Sequence, residues 1–261
     1  MIQYIVDAFA EKLFSGNPAA VLPCRSMPSE KLMLDIAREN NYSETAFVVR
    51  RSPGEYDLKW FTPGGEIDLC GHATLATAFV MYNYADRGCE VMHFHTLSGI
   101  LTVNCGQDGF TLDFPVGRVK PIPLTDDIRQ ACGDMAVEAW FDGGDMVVIV
   151  DSEQSLRTFQ PDERAISRIS GLGFILTARS VEFDFVSRCF YPKLSVLEDP
   201  VTGRAHTYLA PVWIRKLHKN IMRAKQISSR GGIMTVALKN DRVLLTGQAQ
   251  LFMQGEIPFD L

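Results

Sequence analysis

Two tripeptides in this 261-residue chain, Cys70-Gly71-His72 and Thr202-Gly203-Arg204, each open onto an apolar run of helical character. A helix N-terminus exposes unpaired backbone N–H groups and the positive end of the helix dipole. It binds a carboxylate or phosphate without needing a basic side chain. Glycine at that point lets a ligand approach the backbone closely. Taken singly, each Gly could simply ease a tight strand-to-helix turn. Taken as a pair in matching positions, Gly71 and Gly203 point to a site for a small anionic substrate. The flanking residues restrict its chemistry. A racemase with two thiol bases needs a cysteine at each start, because the proton leaves one face of the carbon and returns to the other. Cys70 is present, but its counterpart is Thr202, which cannot form a thiolate. Cys70 is then either a lone nucleophile or a packed thiol.

The two starts belong to an internal repeat. FTPGGEIDLCGHATLATAFVM from Phe61 and FYPKLSVLEDPVTGRAHTYLAPVW from Phe190 both open with Phe-x-Pro and reach the helix-opening Gly. Gly71 aligns with Gly203, Gly99 with Gly232 and Asp108 with Asp241, at a nearly constant offset. Upstream the match is weaker and pairs the region of Phe47 with that of Phe174. Each half therefore reads as strands, one long central helix and a closing hairpin, with turns at Gly106–Gly109 and Lys239–Asp241. The first helix carries Ala73, Leu75, Ala76, Ala78, Phe79, Val80 and Met81, so it is apolar almost all round and must be covered on most sides. A sheet curled around it satisfies that need. The expected fold is α+β: two pseudo-symmetric domains, 1–117 and 118–261, each a barrel-like, mostly antiparallel sheet around a central helix. The linker falls in the Pro-rich Phe114–Thr125, and the last residues are able to return to the first half.

Composition supports a globular enzyme-sized chain. Hydrophobic residues make up 46% and charged residues 22%, enough apolar surface for a substantial core. The net charge of -5, with no basic run, excludes a nucleic-acid partner. The six cysteines are scattered with no CxxC pair, which reads as reduced thiols and a cytoplasmic setting. The N-terminal MIQYIVDAFAEKLF lacks a basic n-region and reads as a first strand. The longest apolar stretch, Leu75 to Met81, is too short for a bilayer, so no membrane partner is expected. His93 and His95 share one face of a strand, but no third ligand is evident, and no metal is expected. The acidic pairs Asp126-Asp127 and Asp162-Glu163 read as helix N-terminal charges.

Five segments together resemble the PhzF-like proteins, the phenazine-biosynthesis isomerases and their relatives. They are GNPAAVLP (16–23), NYSETAFV (41–48), FTPGGEIDLCGHATLATA (61–78), EDPVTGRAH (198–206) and SSRGGIMTV (228–236). That family is similar in fold to diaminopimelate epimerase and proline racemase: two like halves, with the site in the cleft between them. The resemblance implies that Glu44 of the SET motif is the general acid/base. It implies that Gly71 and His72, with Asp199 and Gly203 of EDPVTG, bind the substrate. In the phenazine enzymes these groups move a proton between carbons of a dihydro-anthranilate-type substrate. No cofactor or metal is implied, and a homodimer is common. A carboxylate suits the task, since burial raises its pKa from near 4.3 toward a useful value. Read from sequence alone, Glu44 could instead be a cap at the turn after Asn40-Asn41, and Asp199 a cap before Pro200.

One position departs from the pattern. Relatives commonly carry a small residue, often Ser, where this chain has Arg204. Its guanidinium could clamp a substrate carboxylate, pair with Glu44 and blunt its basicity, or point outward. The departure disfavours the phenazine substrate itself. His206 and Tyr208 are also bulky for that helix start. The expected function is a cofactor-independent isomerase acting on a small carboxylated substrate. A non-catalytic ligand-binding or protein-interaction module on the same fold is the alternative, and an epimerase using Cys70 with Glu44 is a third.

Overall fold

The computed structural model describes residues 1–258. Contacts divide the chain into two units, residues 1–114 with 245–261 and residues 115–244. The stretch assigned to the second half from 118 onward thus leaves that unit at 244. Unit 1 runs β1 (Ile2–Ala8), β2 (Asn17–Cys24), α1 (Glu30–Asn40), β3 (Glu44–Ser52), β4 (Glu55–Thr62), β5 (Gly65–Ile67), α2 (Gly71–Val80), β6 (Val91–Thr96), β7 (Gly99–Gly106) and β8 (Gly109–Pro115). Unit 2 runs β9 (Lys120–Ile122), α3 (Asp126–Cys132), β10 (Ala136–Phe141), β11 (Met146–Val150), α4 (Glu153–Thr158), α5 (Glu163–Arg168), β12 (Phe174–Arg179), β13 (Phe185–Tyr191), β14 (Val196–Asp199), α6 (Gly203–Leu217), β15 (Ile221–Gln226) and β16 (Gly232–Lys239), and the chain boundary between the units falls within β17 (Arg242–Gly247). The last strand, β18 (Ala249–Glu256), pairs antiparallel with β1 and so belongs to unit 1.

The repeat extends to the pairing pattern. In unit 1, β1/β2 is antiparallel, β2/β3 parallel across α1, β3/β4 antiparallel, β4/β6 parallel across β5 and α2, and β6/β7 antiparallel. Unit 2 repeats the order: β10/β11 antiparallel, β11/β12 parallel across α4 and α5, β12/β13 antiparallel, β13/β15 parallel across β14 and α6, β15/β16 antiparallel. Each unit is thus a mostly antiparallel sheet with one central helix. The register sharpens the alignment. Thr45 faces Phe61 and Phe174 faces Phe190, so Phe174 takes the place of Thr45, not that of Phe47. The slip is by an even number of residues, which keeps every side chain on its face.

Burial follows from the sequence patterns. In α2 every residue from His72 to Ala78 is buried, and the hydroxyls of Thr74 and Thr77 bond back to the carbonyls of Cys70 and Ala73, so neither hydroxyl lacks a partner. Under α1, Ile5, Leu22, Met33, Phe47 and Phe61 form one core. In unit 2, Ile128, Val148, Leu156, Phe174 and Phe190 belong to another. The α6 helix contains Pro211, whose missing N–H frees the Thr207 carbonyl one turn back. The Gly117 N–H supplies the replacement at 3.1 Å, and only glycine fits there, because a Cβ would lie 2.2 Å from the Tyr208 ring. Thr125 caps α3, with Asp126 and Asp127 in its first turn, and Asp162 caps α5. Among the described residues, no helix is long and apolar enough to cross a membrane.

Candidate functional site

Both helix starts expected from the sequence are present, and they differ from the other helices in one respect. Ser29, Thr125, Ser152 and Asp162 cap α1, α3, α4 and α5 with side-chain oxygens. The N-cap residues of α2 and α6, Cys70 and Thr202, are extended in backbone and provide no such bond. Neither start is thus capped by a side-chain oxygen of its own N-cap residue, an arrangement that suits an external anion.

In unit 1 the α2 start carries His72, and strand pairing brings Glu44 to it. The α1 helix ends on Asn41 in the left-handed region at φ 51°, with the Asn41 N–H bonded to the Ala37 carbonyl. Asn41 does the capping at this turn, so the Glu44 carboxylate is available elsewhere. Glu44 opens β3 beside Ala19 of the parallel β2, and its Oε2 lies 3.0 Å from His72 Nε2. The contact is that of an ion pair, and neither of these buried atoms makes a further hydrogen bond. Two adjacent polar atoms in that condition are poised for a third group, since burying an unbonded polar atom is costly.

The other ring nitrogen is occupied. Asn17, fully buried at the start of β2, approaches His72 Nδ1 with its Nδ2 at 3.3 Å, and Cys70 Sγ lies 3.5 Å from the same atom. Which atom donates in the Asn17 contact depends on the protonation state of the ring. Burial works against charge on His72, but the Cys70 sulfur and the Glu44 carboxylate outweigh it and hold its pKa well above the ordinary value. Burial first, and the Glu44 charge second, raise the Cys70 pKa, which keeps it a thiol. Glu44, Cys70 and His72 are also close enough together to offer three ligand atoms to a metal ion. His93 and His95 are occupied otherwise, by Thr102 at 3.1 Å and by Glu55 at 2.7 Å.

In unit 2 the EDPVTG segment divides its labour. Glu198 pairs with Arg188 through two bonds of 2.7 and 2.8 Å, and Arg188 also donates to the Leu156 and Phe159 carbonyls. Asp199 accepts from the Thr202 hydroxyl. Gln226, fully buried on β15, accepts from the Thr202 N–H at 2.8 Å and donates to the Asp199 carbonyl at 2.7 Å, locking the approach to Gly203. His206 donates from Nδ1 to the Thr202 carbonyl at 2.8 Å and stacks on Phe185. Burial lowers its pKa to about 4, so it is a neutral structural histidine. The partners of Arg204 are Asp145, 3.2 Å from Nε, and the Tyr208 hydroxyl at 3.2 Å. Asp145, Gln226 and Asn17 were not singled out from sequence. Asn17 lay in the quoted GNPAAVLP motif, whereas neither Asp145 nor Gln226 has a local signal.

Comparison with known proteins identifies the family and the fold. The family model described as phenazine biosynthesis-like protein, PhzC-PhzF, matches residues 6–255. An uncharacterised isomerase of Pseudomonas aeruginosa is 44% identical over 252 residues, covering 97% of this chain and 96% of that protein. The crystal structure of a PhzF-family phenazine biosynthesis protein from Enterococcus faecalis superposes with a TM-score of 0.95 at 44% identity, covering 99% of each chain. A probable proline racemase from Agrobacterium radiobacter shares the fold at 12% identity, with a TM-score of 0.63 over 100% of this chain and 94% of that one.

Proposed function

The chain belongs to the PhzC-PhzF family of phenazine biosynthesis-like proteins, and we propose that it is a cofactor-independent isomerase in which Glu44 carries the proton. The observation that carries this reading is the buried Glu44–His72 contact, unfinished on both sides, beside the uncapped start of α2. The start of α2 at Gly71 binds the substrate. The Glu44 carboxylate removes a proton from a carbon, and the electron pair of that C–H bond moves into the adjoining unsaturated system. While Glu44 holds the proton its carboxyl exchanges with solvent, and it then gives a proton to another carbon of the system, so one base suffices and nothing is oxidised or reduced. His72, with its Nε2 proton directed at this point, hydrogen-bonds the substrate oxygen or the carboxyl of Glu44 while it holds the proton. Asn17 orients the ring through Nδ1. Asp199, Gly203 and Arg204 complete substrate binding. Cys70, held as a thiol, takes no part in proton transfer. The six free cysteines favour a reducing, cytoplasmic compartment, and the working form is a homodimer, as in the family it resembles.

The test is deuterium uptake in heavy water over a panel of small unsaturated carboxylic acids, read by mass spectrometry. The wild-type protein incorporates one deuterium into an accepted substrate, and Glu44→Gln incorporates none. Undiminished uptake in Glu44→Gln refutes the assignment.

A further inference from the structure

The register of unit 2 shows what has become of the position equivalent to Glu44. Thr45 and Phe174 are equivalent, so Gly173 stands where unit 1 has Glu44, and Asp145 stands where it has Ala19. The carboxylate has in effect moved to the neighbouring strand. Gly173 makes room for it: a Cβ there would lie 2.8 Å from Asp145 Oδ1 and 2.2 Å from the Tyr191 ring. The Asp145 side chain has no exposed surface, and its Oδ1 accepts from the Gly173 N–H at 2.9 Å. Its Oδ2 lies 3.2 Å from Arg204 Nε and 3.5 Å from the Tyr191 hydroxyl. The His72–Glu44 pair of unit 1 is thus answered in unit 2 by Arg204 with Asp145. Such a pair cannot shuttle a proton, because a guanidinium does not give one up.

Its geometry suits binding instead. Asp145 and the Tyr208 hydroxyl both engage Nε, and the guanidinium carbon lies 5.9 Å from the Tyr208 ring centroid. Among the described residues neither Nη group has a hydrogen bond, and the Arg204 side chain is 45% exposed. The nearby Asp142 carboxylate is turned onto the Gly144 N–H at 2.6 Å. What remains is a planar pair of amino groups, held from behind and open in front, with the form that grips both oxygens of a carboxylate. We propose that Arg204 is a carboxylate-binding fork that selects the substrate, and that Asp145 is the residue that positions it. This rests on the isomerase reading above and specifies its substrate class as a carboxylate facing Arg204.

Calorimetric titration of the full-length protein with benzoate, and with benzamide as the neutral analogue, tests it. Benzoate binds and benzamide does not. Arg204→Lys keeps the charge but loses the fork, and weakens benzoate at least tenfold. Asp145→Asn removes a negative charge beside Arg204, so simple attraction would tighten benzoate, whereas loss of positioning weakens it severalfold. The proposal is overturned if the wild-type protein ignores millimolar benzoate, if Arg204→Lys binds as well, if Asp145→Asn binds more tightly, or if phenylphosphonate is preferred. Deuterium uptake in Glu44→Gln is a separate measurement, so either reading can fail without the other.

Discussion

Acid should loosen unit 2 through one buried imidazole. His206 is fully buried in the first turns of α6, its Nδ1 proton given to the Thr202 carbonyl, its ring stacked on Phe185. Desolvation lowers its pKa from 6.5 to about 4. Between those values the unfolded chain holds a proton that the folded protein refuses, so stability falls as pH falls through that window. Above 6.5 both states are neutral, and below about 4 both are charged, so the loss is confined to the interval. At 1.36 kcal/mol per pH unit the full loss is roughly 3 kcal/mol. In His206→Asn an amide N–H can take over the bond to Thr202, but nothing titrates. Urea unfolding at pH 7, 5.5 and 4, followed by tryptophan fluorescence, should show the wild-type protein losing about 3 kcal/mol more than the variant over that range. Equal losses in the two proteins would refute the reasoning.

Gly117→Ala should lower stability by at least ~1–3 kcal/mol, because the new Cβ falls 2.2 Å from the Tyr208 ring, and calorimetry would show it as a lower Tm. Glu198→Ala should cost about 3–5 kcal/mol by leaving the 11% exposed Arg188 without its carboxylate, measured by urea unfolding at neutral pH. Cys70→Ala should retain deuterium uptake on any substrate that the wild-type protein accepts, since its thiol is held protonated. Abolished uptake would return Cys70 to the chemistry.

Local features were legible in the sequence because their causes are local. Gly71 and Gly203 open helices, the hairpin turns fall at Gly106–Gly109 and Lys239–Asp241, and Asp126-Asp127 sits in a first turn, as the residue types require. The repeat was visible because each half must build the same strands around the same kind of helix. The one misplaced alignment, Phe47 for Phe174, came from judging strands by apolar character, which survives a shift of two residues.

The sequence by itself determined the α+β class, the duplicated architecture, the two glycine-led helix starts and the family to which the chain belongs. Only the tertiary structure decided who stands beside whom. It set His72 between Glu44 and Asn17, gave Thr202 to Gln226, and turned Arg204 onto Asp145. These partners are brought together by parallel crossovers and strand register. Periodicity along the chain reports which face of an element is buried, but not which distant element will cover it.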